Sequence, residues 1–101
     1  MSYEILVGLD LLNDQVYDEY RKAMKPILLD FKGYFVYDFK VSDVLISDTN
    51  NDINRIFIIN FKSKSKMEGF FLNPEYLAIK EKYFTKSVGS TTILSSYQKD
   101  I

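Results

Sequence analysis

Two side chains that carry much of enzyme chemistry are missing from this sequence of 101 residues: it has no cysteine and no histidine. Without cysteine there are no disulfides, no thiolate metal ligands and no cysteine nucleophile. Without histidine the chain lacks the group that titrates near neutral pH and the commonest metal ligand, so a histidine-ligated haem or zinc is excluded and no metal site is expected. No apolar run approaches the roughly 18 residues that span a bilayer. The opening MSYEILVGLD lacks the basic region and the small-residue cleavage site of a signal peptide. A cytoplasmic location with no membrane partner is therefore expected. Charge of one sign is missing as well. The 13 basic residues are matched by 14 acidic ones, for a formal net charge of -1, so there is no clustered positive field to attract nucleic acid. Neither the G-x-G-x-x-G loop nor the phosphate-cradling G-x-x-x-x-G-K loop occurs, and no cofactor is implied.

What is present is ordinary globular composition, 47% hydrophobic and 27% charged, at a length suited to a single domain over residues 1–101. Tyr3 to Leu9 alternates Tyr3, Ile5, Val7 and Leu9 against Glu4, Leu6 and Gly8, the period of a strand. Asn13 or Asp14 then caps a helix whose apolar positions Val16, Tyr20, Ala23, Ile27 and Phe31 recur every three or four residues, with Pro26 expected to kink it and Gly33 to close it. Tyr34 to Ile46 reads as a long strand with Phe35, Tyr37, Phe39, Val41 and Leu45 on one face; Asp38 falls on the other, mixed face. After the polar turn Ser47 to Asn54 comes a strand from Arg55 to Phe61. Ser63 caps a helix carrying Met67, Phe70 and Phe71, and Asn73-Pro74 starts another through Tyr76, Ile79 and Tyr83. Gly89 ends the helical region, and Thr91 to Tyr97 supplies a fourth strand.

The order β-α-β-β-α-β is the split ferredoxin-like arrangement of the α+β class: a four-stranded antiparallel sheet with helices on one face. Within Arg55 to Phe61, Phe57, Ile59 and Phe61 load one face while Ile56 and Ile58 load the other. Helices cover one side of a small sheet, so the second apolar side calls for another molecule, and a homodimer with the two sheets face to face is the expectation.

Motifs that carry chemistry are few. Asp48, Asn50 and Asp52 open like a calcium loop, but Ile53 stands where glycine is needed and Ile59 where the bidentate glutamate belongs. Lys62, Lys64 and Lys66 read as a solvated helix end. Tyr17, Tyr20 and Tyr76 lie at helical spacings that packing explains; they are also what a pocket for a flat organic ligand uses, with hydroxyls for orientation. Asn60 interrupts the most apolar strand on the side of Ile56 and Ile58, where its amide needs a protein, water or ligand partner. No catalytic residue is marked: a proton acceptor is to be sought among Asp14, Asp38 or a tyrosine of shifted pKa.

Tyr17-x-x-Tyr20, Pro26, Gly33, Phe61-Lys62-Ser63 and above all Asn73-Pro74-Glu75-Tyr76 resemble a small bacterial family of unknown function within the dimeric α/β-barrel superfamily, which includes antibiotic-biosynthesis-type monooxygenases and haem-degrading enzymes. The resemblance spans nearly the whole chain and implies two sheets packed into a barrel, with a cavity between sheet and helices in each subunit. Relatives carry Gly-Gly-Arg where this chain has Lys32-Gly33-Tyr34, glutamate at Asn60 and arginine at Tyr83. The resulting expectation is a homodimeric domain binding a small organic ligand, with Asn60, Tyr17, Tyr20, Asp38 and Tyr76 as candidate ligand contacts. The alternative is a cofactor-independent monooxygenase or isomerase acting on an aromatic or polyketide-like substrate.

Overall fold

The alternating segment at the start of the chain becomes an inner strand of the sheet. The computed structural model describes residues 1–100. Its elements run β1 (Ser2–Leu11), α1 (Asp14–Asp30), β2 (Tyr34–Lys40), β3 (Arg55–Phe61), α2 (Lys64–Leu72), α3 (Pro74–Ile79), a π-helical turn (Lys80–Phe84), α4 (Thr85–Ser87) and β4 (Val88–Lys99). The strands form one sheet in the order β2-β3-β1-β4, with every neighbouring pair antiparallel. The two strands that carry the fully buried positions, β1 and β3, thus take the inner positions. Their register sets Ile5 opposite Ile59 and Val7 opposite Phe57, and these residues are buried together with Leu9, Leu11 and Phe61 beneath the helices. No helix among the described residues is long and apolar enough to cross a membrane.

Asn13 caps α1, its side chain accepting from the Val16 N–H at 3.1 Å, and Ser63 and Asn73 cap α2 and α3 in the same way. Pro26 lies inside α1 on its exposed side, and the helix runs through it as one element. The stripe that α1 buries is Tyr17, Tyr20, Met24, Ile27 and Leu28. Val16, Ala23 and Phe31 are half-buried at its edge, so the expected stripe is turned by about one residue.

Three other expectations change. The end of α1 is a Schellman motif in which the Gly33 N–H reaches the Leu28 carbonyl at 2.9 Å and the Lys32 N–H reaches that of Leu29 at 3.0 Å. The left-handed residue is Lys32, with φ of 60°, and not Gly33. Gly33 is needed for space: a Cβ there would overlap the Leu28 side chain and sit 3.0 Å from the Phe61 ring. Secondly, β2 stops at Lys40 instead of Ile46: Lys40 lies opposite Arg55, where β3 begins, and the Val41 N–H still reaches the Asn54 carbonyl at 2.9 Å before the two segments part. Residues 41–54 form an irregular connection that leaves Leu45 and Ile46 exposed. Its end is tied to β1 by Asn54, whose amide accepts from the Leu11 N–H at 2.8 Å and donates to the Leu11 carbonyl at 3.0 Å. Thirdly, Gly89 lies within β4 and not at the end of the helical region, which closes at Ser87.

The most consequential departure is a β-bulge. Phe35 pairs with Ile59 but Tyr37 pairs with Ile58, so Val36 is an extra residue in β2. Side-chain alternation resets there. Phe35 and Asp38 point to the helices, beside Ile59 and Phe57, while Tyr34, Tyr37 and Phe39 point away from them. The expected grouping of Phe35 with Tyr37 and Phe39, and of Asp38 with Tyr34, is thereby corrected.

Candidate functional site

The helices do not close tightly on the sheet. A cavity of about 310 Å³ lies between them, at the lower end of the range for small-molecule sites. Its floor is Ile5, Val7 and Leu9 of β1 with Phe57 and Ile59 of β3. Its roof is Tyr17, Tyr20 and Met24 of α1 and the series Tyr76, Lys80 and Phe84, which recurs every fourth residue along α3 and the π-helical turn. Thr91 and Ile93 of β4 stand at its border, and Ile93 is largely exposed. The apolar walls come from the strand alternation and from the α1 stripe, so the cavity follows directly from the residues that form the core.

Polar groups reach this space in an ordered way. The hydroxyls of Tyr20 and Tyr76 share a hydrogen bond of 2.8 Å, fully inside the protein. Their rings lie edge to face at 6.2 Å, and Phe84 packs 5.1 Å from Tyr20. Burial pushes the Tyr20 hydroxyl pKa far up, and the neighbouring Tyr76 hydroxyl pushes it further. Burial also raises Tyr76, against the bond from Tyr20, and raises Tyr17 against the nearby arginine charges. All three phenols are therefore hydrogen-bonding groups at neutral pH and not bases.

Behind Tyr17 lies a charged cluster that composition could not foretell. The Arg21 Nε donates to the Tyr17 hydroxyl at 2.8 Å, and its two terminal nitrogens reach the two oxygens of Asp38 at 3.2 and 3.3 Å. Arg55 binds the same carboxylate with Nε at 2.8 Å and Nη2 at 3.0 Å. Asp38 thus accepts from two guanidinium groups at once. The Arg21 guanidinium lies 3.8 Å over the Phe35 ring. Burial alone would raise the Asp38 carboxyl, but the bonds from Arg55 and Arg21 outweigh it and hold it below the ordinary carboxylate range. With each oxygen engaged by two cations, Asp38 is a poor proton acceptor. Asp14 sits in the first turn of α1, away from the cavity lining.

Asn60 stands elsewhere. It faces away from the helices, as Ile56 and Ile58 do, and donates to Glu4 Oε2 at 2.8 Å and Ser2 Oγ at 2.9 Å. Tyr97 donates to Glu4 Oε1 at 2.7 Å, and Lys99 approaches Oε2 at 3.4 Å. Glu4 is 3% exposed on this outer face. Burial pulls its carboxyl up, yet the bonds from Asn60, Tyr97 and Lys99 win and hold it below its usual value.

Of the five residues named from the sequence, Tyr17, Tyr20 and Tyr76 meet at the cavity. Asp38 reaches it through Arg21 and Tyr17, and Asn60 lies on the opposite face of the sheet. Sequence reasoning missed Lys80, Phe84 and Arg21. The four-residue recurrence from Tyr76 was a visible signal for the first two, whereas Arg21 meets Asp38 only because of the bulge at Val36.

Comparison with known proteins places these features in context. The model of the domain of unknown function DUF1330 matches residues 2–97. The RPA0582 protein of unknown function from Rhodopseudomonas palustris superposes with a TM-score of 0.79 at 14% identity, over 99% of this chain and 83% of that one. A dimeric protein of unknown function with a ferredoxin-like fold from Bacteroides fragilis gives 0.62 at 12% identity, over 97% and 96% of the two chains. SnoaB, a cofactor-independent oxygenase from Streptomyces nogalater, gives 0.62 at 9% identity, over 97% and 95%. At these identities the likeness is one of fold. No curated protein matches the chain.

Proposed function

The chain belongs to the DUF1330 family, and on that footing we propose that it is a homodimeric domain that binds a small organic molecule between sheet and helices. The observation that carries the reading is the cavity of about 310 Å³, apolar on its walls and supplied with the paired hydroxyls of Tyr20 and Tyr76. That is the composition of a ligand site: broad apolar contact with a few convergent polar groups. The oxygenase alternative rests on analogy of fold alone, as with SnoaB. The acceptors it named are protonated phenols, an arginine-bound Asp38 and a distant Asp14.

Self-association is supported by the outer face of the sheet. Tyr34, Tyr37 and Phe39 are each about half exposed there, flanked by Ile56 and Ile58, and the rings of Tyr37 and Phe39 stack at 5.5 Å. A contiguous apolar sheet face of this kind is covered most simply by its own copy, antiparallel to itself. The related fold from Bacteroides fragilis is described as dimeric.

Thermal-shift screening with flat phenolic compounds tests the binding half. Ligand at about 100 times its Kd adds about 2.7 kcal/mol of stability. Ile93→Trp, which fills the border of the cavity from an exposed position, abolishes the gain. Absence of any shift across the set overturns the binding reading. Sedimentation at low micromolar concentration tests the other half: a dimer that Ile58→Glu converts to monomer is expected, and a monomeric unmodified chain removes it.

A further inference from the structure

Among the described residues, the cavity has one charged wall residue. Lys80 lines it from the roof, and among the described residues no carboxylate lies within ion-pairing distance of its ammonium. Arg21 and Arg55 are occupied by Asp38 and do not line the space. Lys80 opens the π-helical turn, a rare local geometry that recurs at functional sites, and its Nζ stands 5.8 Å from the Phe84 ring.

A second observation concerns protons. Tyr20 and Tyr76 carry one hydroxyl proton each, and both remain protonated at neutral pH. Their mutual bond uses one proton. The other has no protein acceptor among the described residues, on a pair of side chains that both line the cavity. A ligand oxygen placed there gains a hydrogen bond that the protein leaves unmade.

We propose that the cavity selects a planar aromatic carboxylate, its ring among Tyr20, Phe71 and Phe84 and its oxygens facing Lys80 and the spare hydroxyl proton of the Tyr20–Tyr76 pair. This names a ligand class for the binding reading given above and rests on it. The volume is about that of ten waters, room for one or two fused rings bearing a small polar group. A cationic ligand is disfavoured by Lys80, and a neutral one forgoes the ion pair.

Calorimetric titration of the full chain with benzoate, 2-naphthoate, their carboxamides and the corresponding arylmethylamines is the test. The acids bind about tenfold more tightly than the amides, as a charge-assisted hydrogen bond at a cavity rim implies, and the amines bind least. Lys80→Met, at an exposed position, removes the difference in affinity between the acids and the amides. Lys80→Arg keeps the preference. Equal binding of acid and amide, or an acid preference that survives Lys80→Met, overturns the proposal while the ligand-site reading stands. If neither acids nor amides bind, the ligand-site reading falls as well.

Discussion

Tyr76→Phe removes one hydroxyl and leaves that of Tyr20 without its partner at 2.8 Å, in a side chain that is 5% exposed. An unpaired buried polar group costs roughly 1 to 3 kcal/mol. Because Tyr20 and Tyr76 line a cavity of about 310 Å³, and a water takes about 30 Å³, a water that enters beside the hydroxyl brings the cost to about 1 kcal/mol. Tyr20→Phe has the same consequence for Tyr76, which is 3% exposed. The double variant leaves no orphan and keeps both rings, including the contact with Phe84 at 5.1 Å, so it costs no more than either single change. The cycle should therefore show a coupling of about 1 kcal/mol. For a domain of this size each single variant lowers Tm by about 4–8 °C, and the double variant lowers it by no more than that. Urea unfolding followed by circular dichroism, with calorimetry to confirm two-state behaviour, measures all four proteins. Two single costs that simply add in the double variant would refute the argument that each hydroxyl depends on the other.

Further tests concern the helix end and the two carboxylates. Lys32→Gly relieves a left-handed residue and should stabilise by roughly 0.5–1 kcal/mol, whereas Gly33→Ala, crowding Leu28 and Phe61, should destabilise by about 1–3 kcal/mol. Chemical denaturation reads both, and equal signs would be wrong. Glu4 and Asp38 hold their carboxyls below the ordinary 4.5 and 3.8. The folded chain therefore binds fewer protons than the unfolded one just below those values. The stability they contribute is complete above them and is lost as pH falls through the folded pKa values. Denaturant midpoints between about pH 7 and pH 2.5 should fall less steeply in Glu4→Gln and Asp38→Asn than in the unmodified chain; unaltered acid limbs in both would defeat the assignment. At neutral pH Asp38→Asn should cost about 1 kcal/mol, since the carboxylate is about a third exposed and partly screened. A gain in stability on the same denaturation curves would contradict its role between the arginines.

The element order, the caps at Asn13, Ser63 and Asn73 and the inner face of β1 could be read directly from the sequence, because capping chemistry and period-2 alternation act over a few residues. So could the association of Tyr17 with Tyr20, three apart on one helix. What escaped depended on pairings between distant segments. The bulge at Val36 exists only with respect to β3, and alternation within β2 alone assigns Asp38 to the wrong side. The partners of Asn60, Ser2 and Glu4, lie nearly sixty positions earlier in the chain; the amide's need for partners was legible, their identity was not. Lys80 was legible only in part: its spacing of four from Tyr76 places it on the same helix face, but an exposed lysine there points to no role until the cavity beside it is seen.

The extra residue in β2 also constrains how this chain can vary. Substitution changes what Tyr37, Asp38 and Phe39 are, but leaves unaltered the direction in which each projects; that is reversed only by gaining or losing a residue. Drift by single replacements can therefore retune the carboxylate beneath the helices or the rings outside, while exchanging their places requires a deletion that upsets both surfaces in one event.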